Sequence, residues 1–361
     1  MKNIAYFLSL VSLASVSACG GSSSRSTPPD AAGVDVATPA SLDTALPGLD
    51  AQTVASPDTT PVVSTCGYVA TLCTKLATCA PFFLAAGYGD LAGCQDRLTK
   101  VCTEQSKSVG SGLNQTTMLA CAAALDLASC QEILANTVTA CTFHGSLADG
   151  AACGDNTQCA SGFCSHGGSL CGVCAARGSV GAACPSGSND ECQPGLVCSP
   201  GNLCAVPAAL GATCDDNTAP CLMGSFCTTA KTCAVTVAAG QECPGAYLNI
   251  LDGTLCLGKS SPAKPVLAGQ IGTAGVGQAC GLTPGNDLPA TLCAPGSIPG
   301  CTPTAGSGEL LGIPLKGICA APIEDGFTCI TSSACLAGAQ CISGTCRIPS
   351  GRYCEEPVDA G

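Results

Sequence analysis

Apolar residues follow four successive patterns along this chain. Residues 4–16 form a largely apolar run behind a single positive charge at Lys2. From Gly20 to Pro61 the chain carries Ser, Thr, Pro, Ala and Asp without period, and no aromatic residue or cysteine. Between Ser64 and His144 apolar positions recur at helical spacing. Val69, Cys73, Leu76 and Ala77 share one face of a first helix, with Ser64 or Thr65 as its N-cap and Pro81 as its breaker. Leu91, Cys94, Leu98, Val101 and Cys102 repeat the pattern behind Asp90, an expected N-cap, with Lys100 and Lys107 placed to suit the helix dipole. Two further helices are expected over 116–141, the second opened by a Ser129/Glu132 capping box. Beyond Gly150 the helical period disappears and cysteine sets the rhythm.

Composition explains that change. The chain has 361 residues, 33 of them cysteine, with 45 glycines, 24 prolines, no tryptophan and twelve Phe and Tyr. Large side chains for a deep core are scarce, so disulfides must substitute for burial, which places the chain among exported, disulfide-rich proteins. The net charge of −12 excludes a basic nucleic-acid stripe. With 11% charged residues, the acidity reflects missing bases more than a strong anionic field.

The apolar run at 4–16 is too short for a membrane-spanning helix and reads as an export signal. Val16-Ser17-Ala18-Cys19 resembles the bacterial lipobox. That resemblance implies a diacylglyceryl thioether on Cys19, an amide-linked acyl chain, and stable anchoring by several buried chains. Gly20 after Cys19, in place of aspartate, favours the outer membrane by the same analogy. The expected organisation is a signal peptide at 1–18, a disordered tether at 19–63 and a helical cysteine-rich domain at 64–146. Three cysteine-rich repeats at 147–239, degenerate repeats with insertions at 240–320 and a terminal repeat at 321–361 follow.

The helical domain holds Cys66, Cys73, Cys79, Cys94, Cys102, Cys121, Cys130 and Cys141, enough to staple three to five short helices into a bundle. In the repeats, Gly-x-x-Cys recurs at Cys153, Cys184, Cys214, Cys243, Cys280 and Cys329, the first four 29 to 31 residues apart. Four units share four cysteines each: Cys153, Cys159, Cys164, Cys171; Cys184, Cys192, Cys198, Cys204; Cys214, Cys221, Cys227, Cys233; and Cys329, Cys335, Cys341, Cys346. Gly162, Gly195, Gly224 and Gly338 stand between the second and third cysteines, where a turn needs positive φ. Cys243, Cys256, Cys280, Cys293, Cys301 and Cys319 belong to the degenerate stretch. Each unit is too small to fold by burial alone, so short β-hairpins crossed by two bridges are expected. Spacing makes Cys171 the fourth cysteine of its unit and leaves Cys174 over, like Cys354 at the far end; Cys174 is therefore expected to bridge outside its unit, with Cys354 as partner.

"CQPGLVC", "CLMGSFC" and "CLAGAQC" resemble the cysteine-rich module of the N-terminal part of Dickkopf proteins. Lipobox, tether, helical module and repeats together resemble the cysteine-rich lipoproteins of myxobacteria, a likeness that covers nearly the whole chain and specifies scaffold rather than activity.

Candidate chemistry is thin. "CGVC" at Cys171 and Cys174 has redox-pair spacing but lacks the strand–helix context that lowers a thiol pKa. Cys164, His166, Cys171 and Cys174 offer a weak zinc set. His144 reads as a surface residue. Asp155, Asp190, Glu191, Asp215 and Asp216 recur between first and second cysteines; Asx-turns suit them better than calcium ligation. No catalytic group and no cofactor are assigned. The expected function is a membrane-anchored, non-enzymatic interaction or structural module of the cell envelope, binding another envelope or extracellular protein. An inhibitor-like module directed at a protease or toxin is the alternative, and an enzyme of unrecognised type stands last.

Overall fold

The computed structural model describes residues 66–166, 171–185, 187–215, 218–243, 247–249, 251–256, 266–282, 290–293, 301–303, 309–310, 313–314, 316–329, 335–348, 350–351 and 354. The expected signal peptide, Cys19, the tether and Asp216 lie outside the described residues.

Five helices open the described chain: α1 (Tyr68–Cys79), α2 (Pro81–Tyr88), α3 (Leu91–Ser106), α4 (Gln115–Leu127) and α5 (Cys130–Leu134). Gly67 stands at the N-cap of α1 without a side-chain hydrogen bond, and Ser64 and Thr65 lie outside the described residues. Pro81 does end α1, and it also starts α2, where a missing N–H costs nothing. Asp90 caps α3 by accepting from the Gly93 amide at 2.7 Å. Ser129 and Glu132 form the capping box of α5, and Asn114 with Thr117 forms another on α4. Lys100 and Lys107 pair with Asp96 and Glu104 one turn back.

Four bridges join these helices: Cys66–Cys102, Cys73–Cys94, Cys79–Cys130 and Cys121–Cys141. Val69, Leu84, Leu113 and Met118 pack with the bridged sulfurs into one buried cluster. Leu91, expected on the inner face of α3, is 39% exposed because it occupies the first turn, outside that cluster.

From Gly150 onward six units share one hydrogen-bond frame. The N–H of Gly150, Gly181, Gly211, Gly240, Gly277 and Gly326 donates to the carbonyl of Cys174, Cys204, Cys233, Ala268, Cys319 and Cys346, at 2.7–2.8 Å. The amides of those same six residues donate back to the residue after each glycine, at 2.7–3.0 Å. In the four-cysteine units the first cysteine bonds the third and the second bonds the fourth. Cys184–Cys198 and Cys192–Cys204 show the pattern, as do Cys214–Cys227 and Cys221–Cys233, and Cys329–Cys341 and Cys335–Cys346. Third and fourth cysteines face each other across a two-stranded hairpin, Cys198 opposite Cys204 and Cys227 opposite Cys233. Gly162, Gly195, Gly224 and Gly338 take φ of +71 to +85°, the turn expected of them.

The first unit corrects the expected assignment. Its bridges are Cys153–Cys164 and Cys159–Cys174, and Cys174 faces Cys164 across the hairpin. Cys174 is therefore the fourth cysteine, and Cys171 sits in an enlarged hairpin loop and bonds Cys354, 183 residues away. The error came from matching loop length, which varies, instead of hairpin position, which does not.

The stretch expected to be degenerate keeps the frame. Cys280–Cys301 and Cys293–Cys319 repeat the first-to-third and second-to-fourth pairing, with longer loops. The unit begun at Gly240 retains one bridge, Cys243–Cys256. Ala268 stands where a fourth cysteine would, and Tyr247 packs with Phe226 over Cys243, Cys256 and Ala268.

The last unit returns to the first elements. Buried Arg97 on α3 forks onto Asp325 (2.6 and 3.1 Å) and donates from Nε to the Ala337 carbonyl (2.8 Å). The Gly351 amide donates to Ser108 Oγ at 2.8 Å. Gly351 lies so close to the Gln158 amide group that a Cβ there would collide with it. Gln158, fully buried, ties the first unit to the α3–α4 connection through Nε2 to the Val109 carbonyl at 2.9 Å. Among the described residues no helix is long and apolar enough to cross a membrane.

Candidate functional site

Disulfide bonding removes the thiol chemistry that the sequence allowed. Cys171 and Cys174 belong to different bridges, so "CGVC" is no dithiol pair. The zinc set fails for the same reason, because Cys164, Cys171 and Cys174 are each bonded to a different partner and a disulfide sulfur is no thiolate ligand. Sulfurs of Cys153, Cys159 and Cys174 lie within 4.8 Å of one another, as crossed bridges require. All 32 cysteines after Cys19, from Cys66 to Cys354, are taken up by the bridges already described together with their partners.

His144 is exposed, and its Nδ1–H donates to the Ala160 carbonyl at 3.0 Å. Asp155 behaves as an Asx-type cap, accepting from the Thr157 amide at 2.9 Å and from the Thr157 hydroxyl. Its second oxygen is buried, and burial pushes the carboxyl above the usual aspartate range. Asp215 closes a turn through the backbone, its carbonyl accepting from Ala219 at 2.8 Å.

Asp190 differs from the others. Ser188 caps its turn, accepting from the Asp190 amide at 3.2 Å, which leaves the carboxylate for another task. Asp190 lines a cleft of about 70 Å³ where the end of α5 meets the second and third units. Leu134, Pro194, Leu196, Pro207, Leu222 and Met223 form apolar walls, and Arg177 from the connection between units one and two lines the same cleft. Arg177 is held from behind: Nη2 donates to the Gly162 carbonyl at 2.8 Å, and the guanidinium lies 5.8 Å from the Phe163 ring centroid. Its Nε–H is buried and meets no acceptor among the described residues. Among the described residues no ion pair joins Arg177 to Asp190. Burial pushes Asp190 up to about 6, against the opposing pull of Arg177 and with a further push from Glu191. Burial also pushes Arg177 down from its ordinary value, which leaves it cationic.

The cleft thus sets Asp190 and Arg177 at its edge between apolar walls, with the Arg177 Nε–H enclosed by the protein. Among its described lining residues the cleft offers neither a thiol nor a histidine. Sequence inspection placed Asp190 among turn-forming acids and passed over Arg177, because the two meet only after units one and two pack. Comparison with protein-family models, with curated proteins and with solved structures finds no match.

Proposed function

We propose that this chain is an exported, lipid-anchored lipoprotein whose disulfide-crosslinked array is a non-enzymatic interaction module of the cell envelope. The observation that carries the reading is complete cysteine pairing from Cys66 to Cys354. Bridges of this density form and persist in oxidising compartments, and they leave the described part of the chain a rigid presenter of surface. The lipobox-like end at Cys19 and the Ser/Thr/Pro/Ala segment after it support an anchor and a spacer that hold the units away from the membrane. The helices of 64–146 then serve as a stapled bundle against which the units pack, and the outer membrane is the proposed site.

Proximity labelling and cross-linking on intact cells, read with protease accessibility and with palmitate-analogue labelling, test this. The reading predicts acylation lost in Cys19→Ala and one recurrent envelope or extracellular partner. Unacylated protein free in the medium contradicts the anchor, and turnover of a substrate abolished by His144→Ala contradicts the non-enzymatic role. Recovery of a single soluble protease would favour an inhibitor instead.

A further inference from the structure

We propose that the Cys171–Cys354 bridge is a redox-operated clasp: an external dithiol opens it ahead of the other described bridges, and opening undocks Ser350 and Gly351 from the first unit. This goes beyond the proposed interaction role and does not depend on it. Access comes first, because exchange begins when a thiolate reaches a disulfide sulfur. In every bridge but two, at least one of the paired cysteines is buried; the exceptions are Cys79–Cys130 and Cys171–Cys354.

Of those two, only Cys171–Cys354 is free to separate once cut. Lys75 Nζ, on α1 with Cys79, donates to the Asp126 and Ala128 carbonyls at 2.9 and 3.1 Å. That grip keeps Cys130, two residues beyond Ala128, beside Cys79, so an opened pair there recloses at high effective concentration. Within a unit the crossed second bridge and the glycine frame hold an opened pair in the same way. Cys171 stands instead in an enlarged hairpin loop, and its partner lies 183 residues away. No second bridge reaches past Cys346 to the terminal segment, since Cys354 is the last cysteine.

The clasp holds shut a seat that is costly to keep dry. Ser350 and Gly351 are buried, Gly351 lies against Gly154 and the Gln158 amide, and its N–H donates to Ser108 Oγ at 2.8 Å. Asp155, beside Ser108 and the Gly351 amide, has Oδ2 buried without a hydrogen-bond partner. Undocking returns water to that oxygen, so the cut chain favours the open form. In the reaction one thiolate of the dithiol attacks a clasp sulfur and expels the other cysteine as a thiolate. The second thiol of the reagent then resolves the mixed disulfide. Cys171 and Cys354 gain two electrons and two protons, and the dithiol leaves as a disulfide.

The full, fully bridged chain is equilibrated with graded dithiothreitol, trapped with N-ethylmaleimide and mapped. Cys171 and Cys354 should be alkylated together at a dithiol concentration lower by about tenfold or more than any other pair requires. At that concentration the Gly351 amide should exchange faster by about tenfold or more, while the Cys204 amide, bonded to the Ala182 carbonyl in the second unit, keeps its rate. Earlier alkylation of Cys79 with Cys130, or of any pair within a unit, overturns the proposal. So does an unmoved Gly351 amide after clean alkylation of Cys171 and Cys354. Either result leaves the interaction role standing, because that role needs no opening of the array.

Discussion

The Tyr247 hydroxyl engages both backbone groups of Val237, accepting from its N–H and donating to its C=O at 2.9 Å each. In the preceding unit the backbone does the same work beside the second cysteine: Ala208 donates to the Pro220 carbonyl at 2.8 Å and accepts from Leu222 at 3.1 Å. Tyr247 thus stands in for the second cysteine by ring packing and by hydrogen bonding, and Ala268 occupies the place of the fourth. Tyr247→Phe keeps the packing and leaves two half-buried backbone groups of Val237 unmatched. The expected cost is about 1 kcal/mol, read as faster exchange of the Val237 amide under oxidising conditions. Unchanged exchange would show that the hydroxyl is incidental.

Arg97 is the latch between α3 and the last unit, with a side chain 8% exposed against 34% for Asp325. Arg97→Lys keeps the charge and loses the fork together with the Nε bond to Ala337. A loss of about 1.5–3 kcal/mol is expected from the charge-assisted bonds, seen as a lower denaturation midpoint. A lysine variant as stable as the wild type would place the latch elsewhere.

Asp190 gives the fold a defined pH response. Its pKa rises from 3.8 to about 6 on folding, chiefly through burial. A carboxyl shifted upward favours the folded state while protonated, so its contribution is complete below about pH 3.8 and lost as pH climbs through about 6. Asp190→Asn, permanently neutral, should be more stable than the wild type at neutral pH, and the gap should close in acid. Arg177 and Glu191 are the charged neighbours that tune the window. A gap independent of pH would contradict the raised pKa of this carboxyl.

Much of this architecture was legible because its signals are local. Asp90, Ser129 and Glu132 cap helices by rules that involve three or four consecutive residues. The glycines at 162, 195, 224 and 338 announce left-handed turns by their position alone. Cys171 was misread because its loop carries extra residues, although a better ruler was present. The fourth cysteine stands seven residues before the next unit's glycine at Cys174 and Gly181, Cys204 and Gly211, Cys233 and Gly240, and Cys319 and Gly326. The Tyr247 and Ala268 replacement conserves geometry while changing chemistry, so spacing could not show it. Arg177 and Asp190 meet only through packing between units, and no local pattern encodes that meeting.

The Cys171–Cys354 bridge fastens the terminal segment to the first unit beside Gly351 and Ser108. Replacing both cysteines with serine should leave the bridges within units intact and speed exchange of the Gly351 amide. The loss of stability should fall below the roughly 5 kcal/mol of a free loop of that size, because the bridges inside it already shorten the unfolded chain. Exchange at Gly351 that stays slow in the double variant would show that hydrogen bonds alone hold the closure.

Peptide mapping of the exported protein without reduction addresses the central claim, a uniform frame of crossed bridges closed by one long-range staple. Paired peptides containing Cys159 with Cys174 and Cys171 with Cys354 are predicted. Recovery of Cys171 bonded to Cys174, or of Cys174 bonded to Cys354, would contradict it.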